Sequence, residues 1–329
     1  MTTVVVTGAG GYLGAAVTVA ASRVATVRPV TRRPSPWLPG EVLLCDDLVA
    51  AAEAAVEGAD AVVHLAGANE IASRDDPDGA LAATARLARA VGEACRRQNV
   101  ARLVYVSTIH VYGAALAGTA GISEELIPKP RSVYSITRLA CEHLLASTVG
   151  DEALVVLRLS NAVGAPADSS IDRWSLLAND LCRRAAAGLP LELRTPGGQR
   201  DFIALSDVGR IVVAACYPER VDAGTYNLAS GSTMTVAEMA SLVAEESEKA
   251  GMGRPEIIGV HEGFPQMSHG QDRPQGRIGP VPTAAVDKRY RIDTSRLASS
   301  GLSAEVPLAT AVAETLQMCR NQIGGWRSE

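Results

Sequence analysis

Tyr134 and Arg138 open a helical stretch, YSITR, and stand four residues apart, so a phenol and a guanidinium share one helix face. A phenol can pass a proton to or from a carbonyl or alcohol oxygen if its pKa falls from about 10 toward neutrality. A nearby cation supplies that shift: at 4 Å and an effective dielectric of 20, its attraction for a phenolate is about 4 kcal/mol. Thr108 closes an apolar run 26 residues earlier, where its hydroxyl would hold the same oxygen. Such a set serves hydride transfer at the adjacent carbon.

A second motif names the hydride carrier. TGAGGYLG, residues 7–14, follows an apolar strand and opens a helix. Gly8 lets the chain turn, Gly11 lets backbone approach a pyrophosphate, and Gly14 lets the helix pack close on the strand. The anion then rests on the helix N-terminus, where free N–H groups and the dipole favour it. Gly8, Gly11, Tyr12, Leu13 and Gly14 are therefore expected cofactor contacts. At the end of the second strand, where an NAD site would carry Asp or Glu, the chain has Arg28 and then Thr31, Arg32 and Arg33. A guanidinium there suits a 2′-phosphate, so NADP(H) is expected over NAD(H). The plainer alternative makes Arg32 and Arg33 solvated loop residues.

These motifs need a scaffold, and the apolar runs supply one. Strands are predicted at 3–6, 25–30, 41–44, 61–65, 102–107 and 153–159. Helices are predicted at 13–22, 50–57, 79–98 and 134–147. That alternation reads as βαβ units, a parallel sheet and right-handed crossovers. After about residue 165 proline and glycine cluster, at 188–198 and 251–282, between helices at 174–187 and 236–250. The expected fold is α/β: a Rossmann, doubly wound parallel sheet with a smaller mixed C-terminal region. Residues 1–165 form the cofactor domain, and 166–329 the substrate region, returning some sheet and helix to the core.

TGxxGxxG, the threonine three residues before a valine in VSTIHVYG, and the YxxxR pair together resemble the extended short-chain dehydrogenase/reductase family, in its nucleotide-sugar branch. Further segments are similar to family motifs in the same order, over about residues 3 to 315. CDDL (45–48) resembles the adenine-contacting Asp-Leu, which implies Asp47 and Leu48 at the cofactor. HLAG (64–67) resembles the loop over the cofactor, which implies Leu65, Ala66 and Gly67. LRLSNAVG and RDFIALSDV imply Asn161 and Arg200 at the nucleotide diphosphate; the alternative for Arg200 is a pair with Asp201 or Asp207. GALAAT around Thr84 keeps only part of a further helix signature. Arg138 is the departure, since the family has lysine there, binding nicotinamide ribose and lowering the tyrosine pKa. Arginine keeps the charge but is bulkier, planar and no proton shuttle. Lysine occurs only at 129, 249 and 288, and the other 28 of 31 basic residues are arginine, which eases the swap. Ile109 and His110 replace the Asp-Glu of the family's sugar dehydratases, which disfavours dehydration. His110 reads as packed or solvent-bridged.

Composition removes other classes. A net charge of −5 gives no positive field for nucleic acid or an anionic membrane, and 4% aromatics are too few for base-stacking platforms. No run of 18 apolar residues predicts a membrane span. The six cysteines show no metal-ligand spacing, so no metal site is expected, and they read as reduced small hydrophobes. With MTTVVVTG reading as a strand and no leader, a cytoplasmic chain is expected. The resemblance implies NADPH-dependent reduction of a keto group on a nucleotide-activated deoxysugar, by a homodimer joined through the helices at 79–98 and 134–147. The alternatives are a nucleotide-sugar epimerase with bound NAD(P) and a non-catalytic NADP-binding protein.

Overall fold

The structure is a computed structural model and describes residues 2–117, 121–259, 276–277 and 289–326. The first half runs β1 (Thr3–Thr7), α1 (Tyr12–Ala21), β2 (Thr26–Thr31), β3 (Leu43–Leu44), α2 (Leu48–Val56) and β4 (Ala61–His64). It continues through α3 (Glu70–Asp75), α4 (Pro77–Arg97), β5 (Arg102–Thr108), a 3-10 segment (Ile109–Ala117), β6 (Gly121–Ile122) and α5 (Val133–Val149). Then come β7 (Leu154–Leu159), β8 (Asn161–Val163), α6 (Leu177–Ala186), β9 (Leu191–Leu193), β10 (Gln199–Ala204) and α7 (Leu205–Ala214). The chain closes with β11 (Gly224–Leu228), β12 (Thr233–Thr235), α8 (Val236–Lys249), β13 (Ile257–Gly259), β14 (Gly276–Arg277), β15 (Arg291–Ile292), α9 (Ser295–Ser299) and α10 (Leu308–Trp326).

Seven strands form one sheet in the order β11-β7-β5-β4-β1-β2-β3, every pair parallel. The strands are apolar throughout because helices cover both faces. Alternate side chains divide between them: Val4, Val6, Val104 and Leu157 face α1 and α7, whereas Val5, Val62, Leu103 and Val156 face α2, α4 and α5. Strand order reverses beside β1, so the crossovers that follow β1 and β4 run to opposite sides from the carboxyl edge of the sheet, where such folds bind ligands. A smaller region packs α6, α8 and α10 over β9 and β10 around its own cluster, including Leu181, Phe202, Met239 and Leu316. β11 and α7, although late in the chain, belong to the large sheet and its helical cover.

Several boundaries move for identifiable reasons. α2 starts at Leu48 because the Asp47 side chain accepts from Val49 N and Ala50 N. α4 starts at Pro77, fixed by the Asp76 cap and a proline in its first turn. α6 starts three residues later than the pattern suggests. α3 and the 3-10 segment were not foreseen, and Gly113 breaks the latter at φ +57°, where a Cβ would collide with Lys129 O. The expected loop at 251–282 lies largely outside the described residues. No helix among the described residues is long and apolar enough to cross a membrane.

Candidate active site

The glycine turn is built as its spacing requires. Gly8 adopts φ +74°, and a Cβ there would lie 2.8 Å from Ala66 N, so the turns after β1 and β4 touch directly. A Cβ on Gly14 would stand 2.1 Å from Gly8 O, which fixes how closely α1 approaches β1. On Gly11 it would meet only Gly8 O, at 3.3 Å, leaving that side open. Gly11 caps α1 without a side-chain bond, and no acid lies in the first turn. The Tyr12 ring is buried, its hydroxyl donating to Gly164 O at 2.8 Å, and Leu13 is partly buried. This is a cradle an anion fits.

Arg32 and Arg33 follow β2 directly and are exposed. Arg28 does not join them: its guanidinium donates to Glu57 O at 2.7 Å and Ala55 O at 3.4 Å, closing the end of α2. Asp47 is engaged as a helix cap through Oδ1, with Leu48 as the first helical residue. Leu65 N and Ala66 N point at Thr7 Oγ1, at 3.3 and 3.5 Å. Gly67 takes φ +152°, and Thr84 stands under it, its hydroxyl accepting from Ala68 N at 3.1 Å.

Thr108 ends β5 on the same edge of the sheet, buried, its Oγ1 accepting from His110 N at 3.2 Å. His110 is exposed, which suits the solvent-bridged alternative, while partial burial, opposed by Glu70, holds its imidazole below the ordinary value. Ser132 caps α5 through a reciprocal box with Ser135, fixing the first turn that carries Tyr134. The Arg138 guanidinium carbon lies 5.2 Å from the Tyr134 ring centre. Arg138 is only 8% exposed; its Nη2 donates to Ala68 O at 3.2 Å and its Nη1 to Tyr105 Oη at 3.4 Å. Its Nε is buried without a partner, and no carboxylate lies within ion-pair distance of the guanidinium among the described residues. A buried cation held only by neutral oxygens suits a hydroxyl-rich ligand beside it. Burial pushes the Tyr134 phenol above its ordinary value, and Arg138 only partly offsets this. The expected net fall is therefore absent in the protein alone, and the phenol carries its proton at neutral pH.

Asn161 and Arg200 sit in the neighbouring sheet, on β8 and β10. One N–H of Asn161 Nδ2 donates to Asp201 O at 2.7 Å, and the amide carries a second. Arg200 pairs with neither expected acid: it donates to Gln199 O at 2.8 Å. Asp201 accepts from Ser160 and Ser230, and Asp207 holds Arg210 together with the N–H groups of Glu305 and Val306.

Sequence reasoning missed three features. Glu70 on α3 and Arg173 form an ion pair at 2.6 Å, and both act electrostatically on Tyr134. Glu142, four residues after Arg138, pairs with Arg158 at 2.7 Å and accepts from Ser107, next to Thr108. His64 and Tyr105 stack beneath Arg138, centroids 5.8 Å apart. A charged residue inside the apolar strand LVVLRL was a signal for the second. No group of His, Cys, Asp or Glu suited to a metal occurs among the described residues, and all six cysteines are free.

A dinucleotide-type glycine turn joined to a tyrosine–cation pair on a Rossmann sheet defines a nicotinamide-dependent α/β enzyme. The chain belongs to the NAD dependent epimerase/dehydratase family, whose pattern it matches over residues 4–229. It is 34% identical over 152 residues to the dTDP-6-deoxy-L-talose 4-dehydrogenase (NAD(P)(+)) of Kitasatospora kifunensis, covering 45% of this chain and 46% of that protein. It is 31% identical over 136 residues to the dTDP-L-rhamnose 4-epimerase of Burkholderia thailandensis, covering 40% of this chain and 36% of that one. The alignments thus span less than half of either relative. Among solved structures, MoeE5 in complex with UDP-glucose and NAD shares the fold at a TM-score of 0.77 and 23% identity, over 97% of this chain and 99% of that one.

Proposed function

We propose that the protein is an NADPH-dependent ketoreductase acting on a nucleotide-activated deoxysugar, at a 4-keto group. The observation that carries this reading is the proton-bearing Tyr134 over a buried Arg138, on the sheet edge that also holds Thr108. Reduction needs a proton donor at the carbonyl oxygen, and the Arg138 charge 5.2 Å from the Tyr134 ring would stabilise the phenolate that donation leaves behind. The two exposed arginines after β2 support the phosphorylated dinucleotide, and the name of the Kitasatospora relative supports the deoxysugar and the 4-position.

NADPH supplies the hydride when bound. The uncapped α1 N-terminus, with Gly8 and Gly11, would hold its pyrophosphate. Arg32 and Arg33 would meet the 2′-phosphate, Asp47 and Leu48 the adenine end, and Leu65, Ala66 and Gly67 the segment covering it. Arg138, only 8% exposed and ending beside the turn after β4, would meet the ribose hydroxyls through its guanidinium. Thr108 holds the substrate's carbonyl oxygen, and Tyr134 passes its hydroxyl proton to that oxygen as charge builds there. Arg138 then stabilises the phenolate left behind until solvent returns the proton. Asn161 and Arg200 serve the nucleotide diphosphate. Residues 1–165 act as the cofactor part and 166–329 as the substrate part. The molecule works as a homodimer through α4 and α5.

Tyr134→Phe is the direct test. It removes the proton donor alone, so turnover of keto-sugar nucleotides should be lost while NADPH affinity by calorimetry stays nearly intact. Full turnover in that variant would overturn the mechanism. A second reading, a 4-epimerase, draws on the Burkholderia relative. An epimerase purifies with its cofactor and consumes none, whereas a reductase oxidises one NADPH for each sugar reduced.

A further inference from the structure

Beneath the proposed proton donor runs a column of side chains from four elements. Thr7 Oγ1, at the end of β1, shares a hydrogen bond of 2.8 Å with His64 Nδ1, at the end of β4. His64 stacks on Tyr105 in the middle of β5, with the rings 26° from parallel. The Tyr105 hydroxyl accepts from Arg138 Nη1, and the guanidinium lies under the Tyr134 ring. His64 and Tyr105 are fully buried. Burial, with the Arg138 charge adding to it, holds the His64 imidazole down to about 3, so no second cation stands in the column. Burial also keeps the Tyr105 phenol far above its ordinary value, so it meets Arg138 as a neutral acceptor.

We propose that Tyr105 is a positioning residue for the proton-transfer pair, its buried hydroxyl fixing the Arg138 guanidinium beneath Tyr134. The inference rests on the reading of Tyr134 as proton donor. A guanidinium is a planar fork of donors, and its orientation is set by the acceptors it finds. Arg138 finds two, from different elements: the Ala68 carbonyl past β4 and the Tyr105 hydroxyl on β5. With one acceptor removed, the fork turns about its last torsions and its charge leaves the Tyr134 ring. The other charged groups acting on Tyr134 are Glu70 from α3 and Arg173 from the segment before α6, and neither bonds to Tyr105. Cys141 on α5 is the remaining titratable neighbour of the Tyr105–Arg138 contact.

Phenolate absorbance, titrated on the full chain with and without Tyr134→Phe, isolates the Tyr134 midpoint and needs no substrate. Tyr105→Phe keeps the stacked ring and deletes only the acceptor, so the chain should still fold, with a thermal midpoint lowered by the loss of one buried partner of Arg138. The Tyr134 midpoint should rise, by up to about one unit, as an opposite charge within 4–6 Å is withdrawn. The same exchange in an Arg138→Met background should leave the Tyr134 midpoint unmoved, since no cation remains to misplace. An unchanged midpoint in Tyr105→Phe, or an equal rise with Arg138→Met, would overturn the proposal. Full keto-sugar turnover by Tyr134→Phe would instead defeat the underlying reading and leave this titration result standing.

Discussion

At the scale of single residues, the proposed preference for NADPH rests on two side chains that bond to no described residue. Arg32 and Arg33 are exposed just past β2, with no bond from either guanidinium to a described residue, whereas Arg28 closes α2. If they serve a 2′-phosphate, NADPH should bind at least tenfold more tightly than NADH, about 1.4 kcal/mol. Arg32→Asp should narrow that gap by repelling the phosphate and offering a carboxylate to a free ribose hydroxyl. Equal affinities for the two cofactors in the native chain, by calorimetry, would remove the argument from Arg32. The glycine turn, the tyrosine–cation pair and the strand-end threonine were legible in the sequence because each is local: a few residues at fixed spacing state the chemistry. What Arg138 leans on was not legible. Ala68 and Tyr105 reach it from 70 and 33 residues away, and only the sheet order brings them together.

At the scale of elements, α5 is held to the sheet by a charge buried on both sides. Glu142 and Arg158 have side chains 7% and 8% exposed, and the carboxylate also takes the Ser107 hydroxyl on β5. Arg158 continues to the Tyr112 hydroxyl at 3.0 Å, and that hydroxyl donates to Asn227 on β11 at 2.7 Å. One network therefore ties the helix carrying Tyr134 to β5, β7 and β11. Removing one partner of a buried pair strands the other, at a cost of about 3–5 kcal/mol. Glu142→Ala should lower the unfolding free energy, by chemical denaturation, by that order, whereas Arg89→Ala, which breaks an exposed pair with Glu93, should barely move it. A small loss in Glu142→Ala would mean that water reaches Arg158 and the network does not fix the helix. The strands and long helices were readable because buried parallel strands are apolar runs and their covering helices keep a helical period. Their ends were set by caps such as Asp47 and Asp76, and the short α3 and the 3-10 segment carry no period long enough to detect.

At the scale of the whole molecule, the helices that support the site carry exposed apolar side chains on their outer face. α4 and α5 pack against each other over the sheet. On their solvent side Ile136 is 45% exposed and Leu81 36%, with Ala82 and Ala83 exposed beside Leu81. Ile136 lies two residues from Tyr134 and two from Arg138, so a cover there would also restrain the proposed proton-transfer pair. A second copy of the same face is the cover proposed here, since small residues let helices approach closely and a two-fold pairing is self-complementary. A stable pair needs about 1,600 Å² of total buried surface, which four helices of this length can supply. Light scattering should give twice the chain mass, and Ile136→Glu, which places a charge at the centre of the pairing, should give the single mass. The secondary structure of that variant should be unchanged by circular dichroism, because position 136 faces away from the core. Specific activity of the native chain should then fall on dilution below the dissociation constant, in step with the loss of mass. A native chain that scatters as a monomer at high concentration, with activity independent of dilution, would show that α5 holds Tyr134 and Arg138 in place without a partner.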